Sequence, residues 1–356
     1  MWDSMPVTVI GLWTVLLVAQ ALADPQNAPQ LQAQAEAGDP VAQLNLARAY
    51  ERGSGIVRDE QKAAEWYRKA AEAGNAVAQN RLGEMYRSGE AVEENKQAAV
   101  GWWHKSARQG NADAMCNLGR AYYNGEGVDI DDTLSYAWFV LAKRAGCERA
   151  AEAVEREESQ VRTSAVTEGI KRIAEMFDQG EFLPENQVEA AAWWLRAAQR
   201  GDPDARLAYA TKLINGQGVV QDLEQGRALC NKAVKEGDPR GDYCMGYLYQ
   251  RGLGVTLNTK KARNWYELGA VRGNPRAIRA LAEMEAAGEG GKVDRLRACL
   301  LYAALAAAGD KDALRSLARL KREVSANDWS KIEKQLPEMR VDPAKLDSAL
   351  RQVDVQ

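Results

Sequence analysis

Small and apolar residues recur along this chain with a period of 36. Glycine opens the period at Gly38, Gly74, Gly110 and Gly146, and again at Gly201, Gly237, Gly273 and Gly309, with every interval inside the two groups equal to 36. A fixed period of this size marks stacked supersecondary units rather than a single globular core. Counting from the opening glycine, position four is always small: Ala42, Ala78, Ala114, Gly169, Ala205, Gly241 and Ala277. Position nine is small as well: Ala47, Gly83, Gly119, Ala174, Ala210, Gly246 and Ala282. Large apolar residues fall four apart around them, as in Leu46 and Tyr50, Leu82 and Tyr86, Leu118 and Tyr122, and Ile173 and Phe177. That spacing lays one apolar stripe along a helix, and the small positions let a second helix approach it closely.

Position fifteen is glycine in every unit: Gly53, Gly89, Gly125, Gly180, Gly216, Gly252 and Gly288. Glycine accepts the left-handed conformation that closes a helix, so the first helix ends there. A second glycine follows at position seventeen in five units, and Ala91 and Phe182 replace it in the second and fourth. Position twenty-one is Asp or Asn throughout (Asp59, Asn95, Asp131, Asn186, Asp222, Asn258, Asp294), which supplies an N-cap for a second helix. Position twenty-eight carries a large anchor, Trp66, Trp102, Trp138, Trp193, Leu229, Trp265 and Leu301, expected to lie in the core of every unit. Each unit is therefore helix, glycine turn, cap and helix, and hairpins of this kind bury their stripes only by stacking on neighbours.

The pattern A(x4)[AG](x2)[YF](x2)G, followed by D/N and AxxW, resembles the Sel-one-like repeat, a member of the tetratricopeptide-like superfamily, over residues 35 to about 310. The resemblance implies an all-α fold: a right-handed superhelical solenoid of about seven 36-residue helix-turn-helix repeats, with a helical insertion after repeat three and a C-terminal helical cap. It also implies that first helices line a concave groove. The residues at the matching positions are Arg48, Arg52, Asn80, Glu84, Arg87, Arg120, Tyr123 and Asn124 in the first block, and Glu175, Gln179, Tyr243, Tyr247 and Gln250 in the second. Such a mixture of Arg, Tyr and Asn suits recognition of a protein or peptide.

Composition divides the chain further. Residues 1–23 contain an apolar run, Val7 to Leu22, that ends in Ala21-Leu22-Ala23, the signature of a signal peptide cleaved before Asp24. Residues 24–34 are polar and Pro/Gln-rich, a linker; repeats one to three are expected over 35–142. The interval from Gly146 to Gly201 is 55, so a charged helical insertion of about 19 residues is placed at 143–161. Repeats four to seven follow over 162–305 and capping helices over 306–356, with a helix start at Ser325-Ala-Asn-Asp328.

Candidate chemistry is sparse. The formal net charge of −3 argues against a general nucleic-acid binder. His104 is the only histidine, no motif fixes a nucleophile or acid beside it, and it is expected to be a solvated surface residue. With no CxxC spacing among five cysteines, neither a metal nor a cofactor is expected. In an exported chain disulfides become possible. Cys230, in the second helix of repeat five, and Cys244, in the first helix of repeat six, form one candidate pair, with Cys116 and Cys147 as another and Cys299 left over; the alternative is that all five fill helix interfaces as small apolar residues. No G-x-S-x-G, S-x-x-K, H-E-x-x-H or phosphate-loop pattern occurs, the paired glycines being helix ends. The expected function is a non-catalytic periplasmic or secreted scaffold that holds a protein or peptide partner of the cell envelope, touching the membrane only through its N-terminal segment. The family resemblance also suggests a cell-wall enzyme of penicillin-binding or β-lactamase type, although the paired cysteines of that branch are missing here.

Overall fold

The computed structural model describes residues 28–160 and 163–337, together with 341–342, 345–346 and 350. The expected signal peptide lies outside the described residues. Among those described, all regular structure is helical, in eighteen helices. The first nine are α1 (Ala28–Glu36), α2 (Pro40–Arg52), α3 (Glu60–Glu72), α4 (Ala76–Ser88), α5 (Lys96–Ala107), α6 (Ala112–Asn124), α7 (Asp132–Arg144), α8 (Glu148–Gln160) and α9 (Thr163–Gln179). The remainder are α10 (Gln187–Gln199), α11 (Pro203–Asn215), α12 (Leu223–Lys235), α13 (Pro239–Arg251), α14 (Thr259–Val271), α15 (Pro275–Ala287), α16 (Arg295–Ala307), α17 (Lys311–Lys321) and α18 (Ala326–Gln335). The chain divides into two compact units, residues 1–186 and 187–356. Within each unit successive helices pack in sequence order, the layering of an α-solenoid.

Both small positions have a structural cause. A Cβ on Gly83 would sit 2.6 Å from the Trp103 indole nitrogen, one on Gly119 2.7 Å from the Phe139 ring, and one on Gly246 2.5 Å from the Tyr266 ring. Position nine is thus the floor on which the second helix of the same repeat rests. At position four, a Cβ on Gly241 would meet the Val234 backbone nitrogen at 2.6 Å, so this position faces the preceding repeat.

These contacts correct the expected anchor. The aromatic that presses on position nine is at position twenty-nine, not twenty-eight. Tyr67, Trp103, Phe139, Trp194, Cys230, Tyr266 and Tyr302 are all buried. Trp102, Leu229, Trp265 and Leu301 are only half-buried. Trp138 is the one position-twenty-eight side chain that is wholly enclosed. Elsewhere a cation one turn on lies over the indole face: Lys69 Nζ is 3.8 Å from the Trp66 ring centre, Lys105 Nζ 3.9 Å from Trp102, and the Arg196 guanidinium 5.2 Å from Trp193. The side chains buried on α3 are Ala63, Ala64, Trp66, Tyr67, Ala70 and Ala71, a stripe centred on position twenty-nine.

Both helices of a repeat are capped. Position twenty-one caps the second helix, as when Asn95 Oδ1 accepts from Ala98 N at 2.9 Å. The Asp or Asn just after the opening glycine does the same for the first helix: Asn75 accepts from Ala78 N at 3.0 Å, Asn111 from Ala114 N at 2.9 Å and Asn274 from Ala277 N at 2.9 Å. At position seventeen the second glycine lies on the preceding repeat, where a Cβ on Gly127 would overlap the Lys96 carbonyl. Ala91 takes this place in repeat two and holds φ at +57°, unlike any other non-glycine residue described.

The N-terminal boundary also changes. Residues 28–34, expected in a linker, belong to α1. Gln43 Nε2 donates to Ala35 O at 3.2 Å just as Gln79 Nε2 donates to Ala71 O at 3.0 Å. α1 therefore stands where the second helix of a preceding repeat would stand, and it covers the exposed end of the stack. At the insertion, residues 143–147 finish repeat three, and the extra helix is α8. Both α8 and α9 pack on α7, so the register resumes past the insertion. At the C-terminus α17 and α18 close the second unit, with Ile332 and Leu336 buried against Leu317 and Leu320. Ser325 caps α18 by accepting from Asp328 N at 3.1 Å.

Candidate interaction face

The first helices of the first unit carry polar side chains at positions seven, ten and thirteen, and their charges alternate. Position seven reads Asn45, Arg81, Asn117, Arg172, and position ten reads Arg48, Glu84, Arg120, Glu175. Where position seven is arginine, the guanidinium is saturated with carboxylates. Arg81 Nε meets Glu51 of the preceding repeat at 2.6 Å, and its terminal nitrogens meet Glu90 at 3.1 Å and Glu84 at 3.4 Å. Arg172 pairs with Glu181 at 2.9 Å and Glu175 at 3.3 Å, and lies 5.6 Å over the Phe182 ring. Where position seven is asparagine, the arginine moves to position ten and has no carboxylate. Arg48, Arg52, Arg87 and Arg120 form no ion pair among the described residues, and the Nε atoms of Arg87 and Arg120 are shielded from solvent with no hydrogen-bond acceptor.

The expected face residues therefore fall into two groups. Asn80, Glu84 and Asn117 bind one another: Asn80 Nδ2 donates to Glu84 Oε1 at 3.2 Å, and Asn117 Nδ2 donates to Asn80 Oδ1 at 3.0 Å and to Glu84 Oε1 at 3.3 Å. These three form a strut between α4 and α6. Asn124 Nδ2 donates to Glu126 at 3.0 Å, and Glu175 is held by Arg172. Gln179 is exposed at the end of α9. Tyr123 is 43% exposed, and the Arg156 guanidinium of α8 lies 5.1 Å from its ring centre. Arg156 is a residue that sequence reasoning missed, because only the docking of the inserted helix on repeat three brings it there.

In the second unit Tyr243 lies 5.7 Å from the Tyr266 ring, the Tyr266 hydroxyl donates to Gln250 Oε1 at 2.8 Å, and Gln250 Nε2 donates to Glu289 at 3.1 Å. Tyr247 lies 5.9 Å below the Arg251 guanidinium. Many arginines of this unit are paired. Arg263 binds Glu285, whose side chain is fully buried, and Arg297 reaches the same carboxylate at 3.0 Å; Arg272 binds Asp242 at 2.9 Å, and Arg279 binds Asp310.

His104 is not a solvated side chain. Its ring stacks on Phe182 at 5.0 Å, meets Trp138 edge-on at 5.6 Å, and places Nε2 3.3 Å from the Tyr122 hydroxyl. Phe182 comes to this place from the turn of repeat four, in the slot that glycine fills in five of the other repeats. Arg108 holds the same turn by donating to Gly180 O and Glu181 O at 3.3 Å each. Burial first, then the Arg108 charge, lower the histidine pKa to about 4, so the ring stays neutral near pH 7.

Cys230 and Cys244 are joined, with their Cα atoms 5.8 Å apart, and tie α12 to α13. Cys116, Cys147 and Cys299 are free and buried. Burial, followed by a hydrogen bond to Cys147, pushes the Cys116 thiol up to about 12, and burial does the same to Cys299. No group of three or more His, Cys, Asp or Glu suited to a metal ion occurs among the described residues. No helix among them is long and apolar enough to cross a membrane.

A family model, the Sel1 repeat, matches seven times, at residues 40–75, 76–111, 112–147, 168–202, 203–238, 241–274 and 275–310. The chain belongs to the Sel1 repeat family. The matched segments leave out residues 148–167, which contain α8 and the start of α9. Sel1-repeat proteins generally mediate protein–protein interaction and are typically non-catalytic scaffolds. No curated protein matches the sequence. Among solved structures the chain is similar to a protective antigen of uropathogenic Escherichia coli strains with an SLR fold, at 28% identity and TM-score 0.42, over 91% of this chain and 73% of that one. A Sel1 repeat protein from Oxalobacter formigenes gives 25% identity and TM-score 0.36, over 73% and 99%. A putative sel1 repeat protein from Klebsiella pneumoniae gives 18% and 0.27, over 72% and 98%.

Proposed function

We propose that this Sel1 repeat chain is a non-catalytic scaffold, exported to the periplasm or beyond, that holds a protein or peptide partner of the cell envelope on its first-helix faces. The guanidiniums of Arg48, Arg52, Arg87 and Arg120, none of them ion-paired among the described residues, carry this reading, because the first helices of repeats two and four show how this unit satisfies an arginine with carboxylates, at Arg81 and Arg172. A buried donor left without an acceptor costs about 1–3 kcal/mol, and an incoming acceptor recovers that cost. The surroundings of His104 support a non-catalytic role: its pKa is depressed and its ring is wedged between aromatics, with a tyrosine hydroxyl as its hydrogen-bond partner. The Cys230–Cys244 bridge supports an oxidising compartment, and the apolar segment at residues 7–22 supports export.

Crosslinking in the intact envelope followed by affinity capture tests the reading. The wild-type chain should trap a defined partner, and the Arg48→Ala/Arg52→Ala/Arg87→Ala variant should lose it while keeping its helical content. An unchanged capture by the triple variant would contradict the assignment of the face. Hydrolysis of nitrocefin that depends on one polar residue of this face would overturn the non-catalytic role.

A further inference from the structure

The inserted helix and the two repeats before it assemble a cationic cluster that nothing in the repeat pattern requires. Glu84 and Asn117 touch across α4 and α6 at 3.3 Å. Arg87 and Arg120 each lie one turn further along the same helices, so they are neighbours on the same side. Neither pairs with a carboxylate among the described residues, and both Nε–H groups are shielded without an acceptor. Arg120 spends one terminal nitrogen on Asn117 Oδ1 at 3.3 Å. Another turn on, Tyr123 is exposed, and Arg156 of α8 lies over its ring at 5.1 Å. Glu126, three residues past Tyr123, accepts from Asn124 through Oε1, while its Oε2 is shielded without a partner and forms no ion pair with an arginine among the described residues.

Like charges side by side repel, and the other arginines of this face show how the chain satisfies a guanidinium when structure is the only aim: Arg81 has three carboxylates. We propose that Arg87, Arg120 and Arg156, with Tyr123, bind the carboxylates of an acidic peptide segment. Planar carboxylates match the guanidinium fork, and such charge-assisted bonds are about twice as strong as neutral ones. A half-exposed tyrosine beside them supplies rigid contact area of the kind enriched at recognition hot spots. The net charge of −3 leaves no long-range field to gather a nucleic acid, so selectivity rests on these few groups. Because Arg156 comes from α8, the site belongs to the insertion and not to the repeat as such. The inference rests on the first-helix face being the binding surface and adds the chemistry of what it binds.

Fluorescence anisotropy with the purified full chain tests it, using a short labelled Glu-rich peptide, its Gln-for-Glu counterpart and a labelled oligothymidylate. The Glu peptide should bind, and the Gln peptide should bind at least about tenfold more weakly. Arg87→Ala and Arg120→Ala should each weaken the Glu peptide about tenfold, Arg120→Lys should fall between wild type and alanine, and Arg240→Ala in the second unit should change nothing. Circular dichroism checks that the variants fold, and the lysine variant keeps the test valid if an alanine variant does not. Equal affinity for the Glu and Gln peptides, or no binding of either, overturns the inference. Oligothymidylate bound as tightly as the Glu peptide, with the same arginine dependence, overturns it in favour of a general polyanion site. Envelope capture that survives Arg87→Ala/Arg120→Ala but fails in the Arg48→Ala/Arg52→Ala/Arg87→Ala variant would preserve the scaffold reading and end this one.

Discussion

The two units are built on the same packing rule and differ in their faces. In each, an aromatic at position twenty-nine rests on a small residue at position nine, as Trp103 does on Gly83 in the first unit and Tyr266 on Gly246 in the second. On the first helices, however, the first unit leaves Arg48, Arg52, Arg87 and Arg120 without carboxylates, whereas the second ties Arg206, Arg240 and Arg279 to acids. The comparison teaches that identical packing can be kept while surface charge is spent in two ways, on internal pairing or on an open site.

The largest effects should come from the shared core. Trp103→Ala and Tyr266→Ala should each cost about 3–5 kcal/mol in chemical denaturation, and Trp102→Ala, half-buried beside Lys105, well under half as much. A Trp102→Ala loss equal to that of Trp103→Ala would return the anchor to position twenty-eight.

Acid should separate the units next. The folded His104 titrates near 4 and the unfolded residue near 6.5, so the native state takes up the proton later. Stability is complete above about 6.5 and falls as pH drops towards 4, by about 3 kcal/mol in all. Denaturation midpoints of wild type and His104→Gln across this window should converge as the pH falls; parallel curves would contradict the buried placement. The second unit contains no histidine.

Arginine removal sharpens the contrast directly. Arg263→Ala takes one of two cations from the fully buried Glu285 and should cost about 2–3 kcal/mol. Arg120→Ala should cost less than about 1 kcal/mol. Equal melting losses would mean that Arg120 is a structural residue like Arg263. The smallest effect is a gain: Ala91→Gly relieves a left-handed alanine and should stabilise the first unit by about 0.5–1 kcal/mol, net of glycine's added freedom when unfolded.

Much of the fold was legible in the sequence because a 36-residue period repeats its small residues and caps in register. Two features were misjudged for physical reasons. Tryptophan at position twenty-eight is conspicuous, but the stripe on α3 centres on Tyr67, and the position-twenty-nine residue varies in type from repeat to repeat. The caps of the first helices were overlooked, although an Asp or Asn follows seven of the eight opening glycines; Cys147 stands in that place just before the insertion. The face was legible only as a set of residue types. Whether an arginine is free or saturated depends on carboxylates 30 residues away, as with Arg81 and Glu51, and on a helix outside the repeat, as with Arg156 and Tyr123.

Arginine side-chain NMR tests the division of labour most directly. With ¹⁵N-arginine in the full chain, titration with the Glu-rich peptide should shift the Nε–H signals of Arg87 and Arg120 together and leave those of Arg81 and Arg172 in place. Movement of Arg81 and Arg172 alongside them, or binding of the peptide with no arginine signal displaced, would contradict the account.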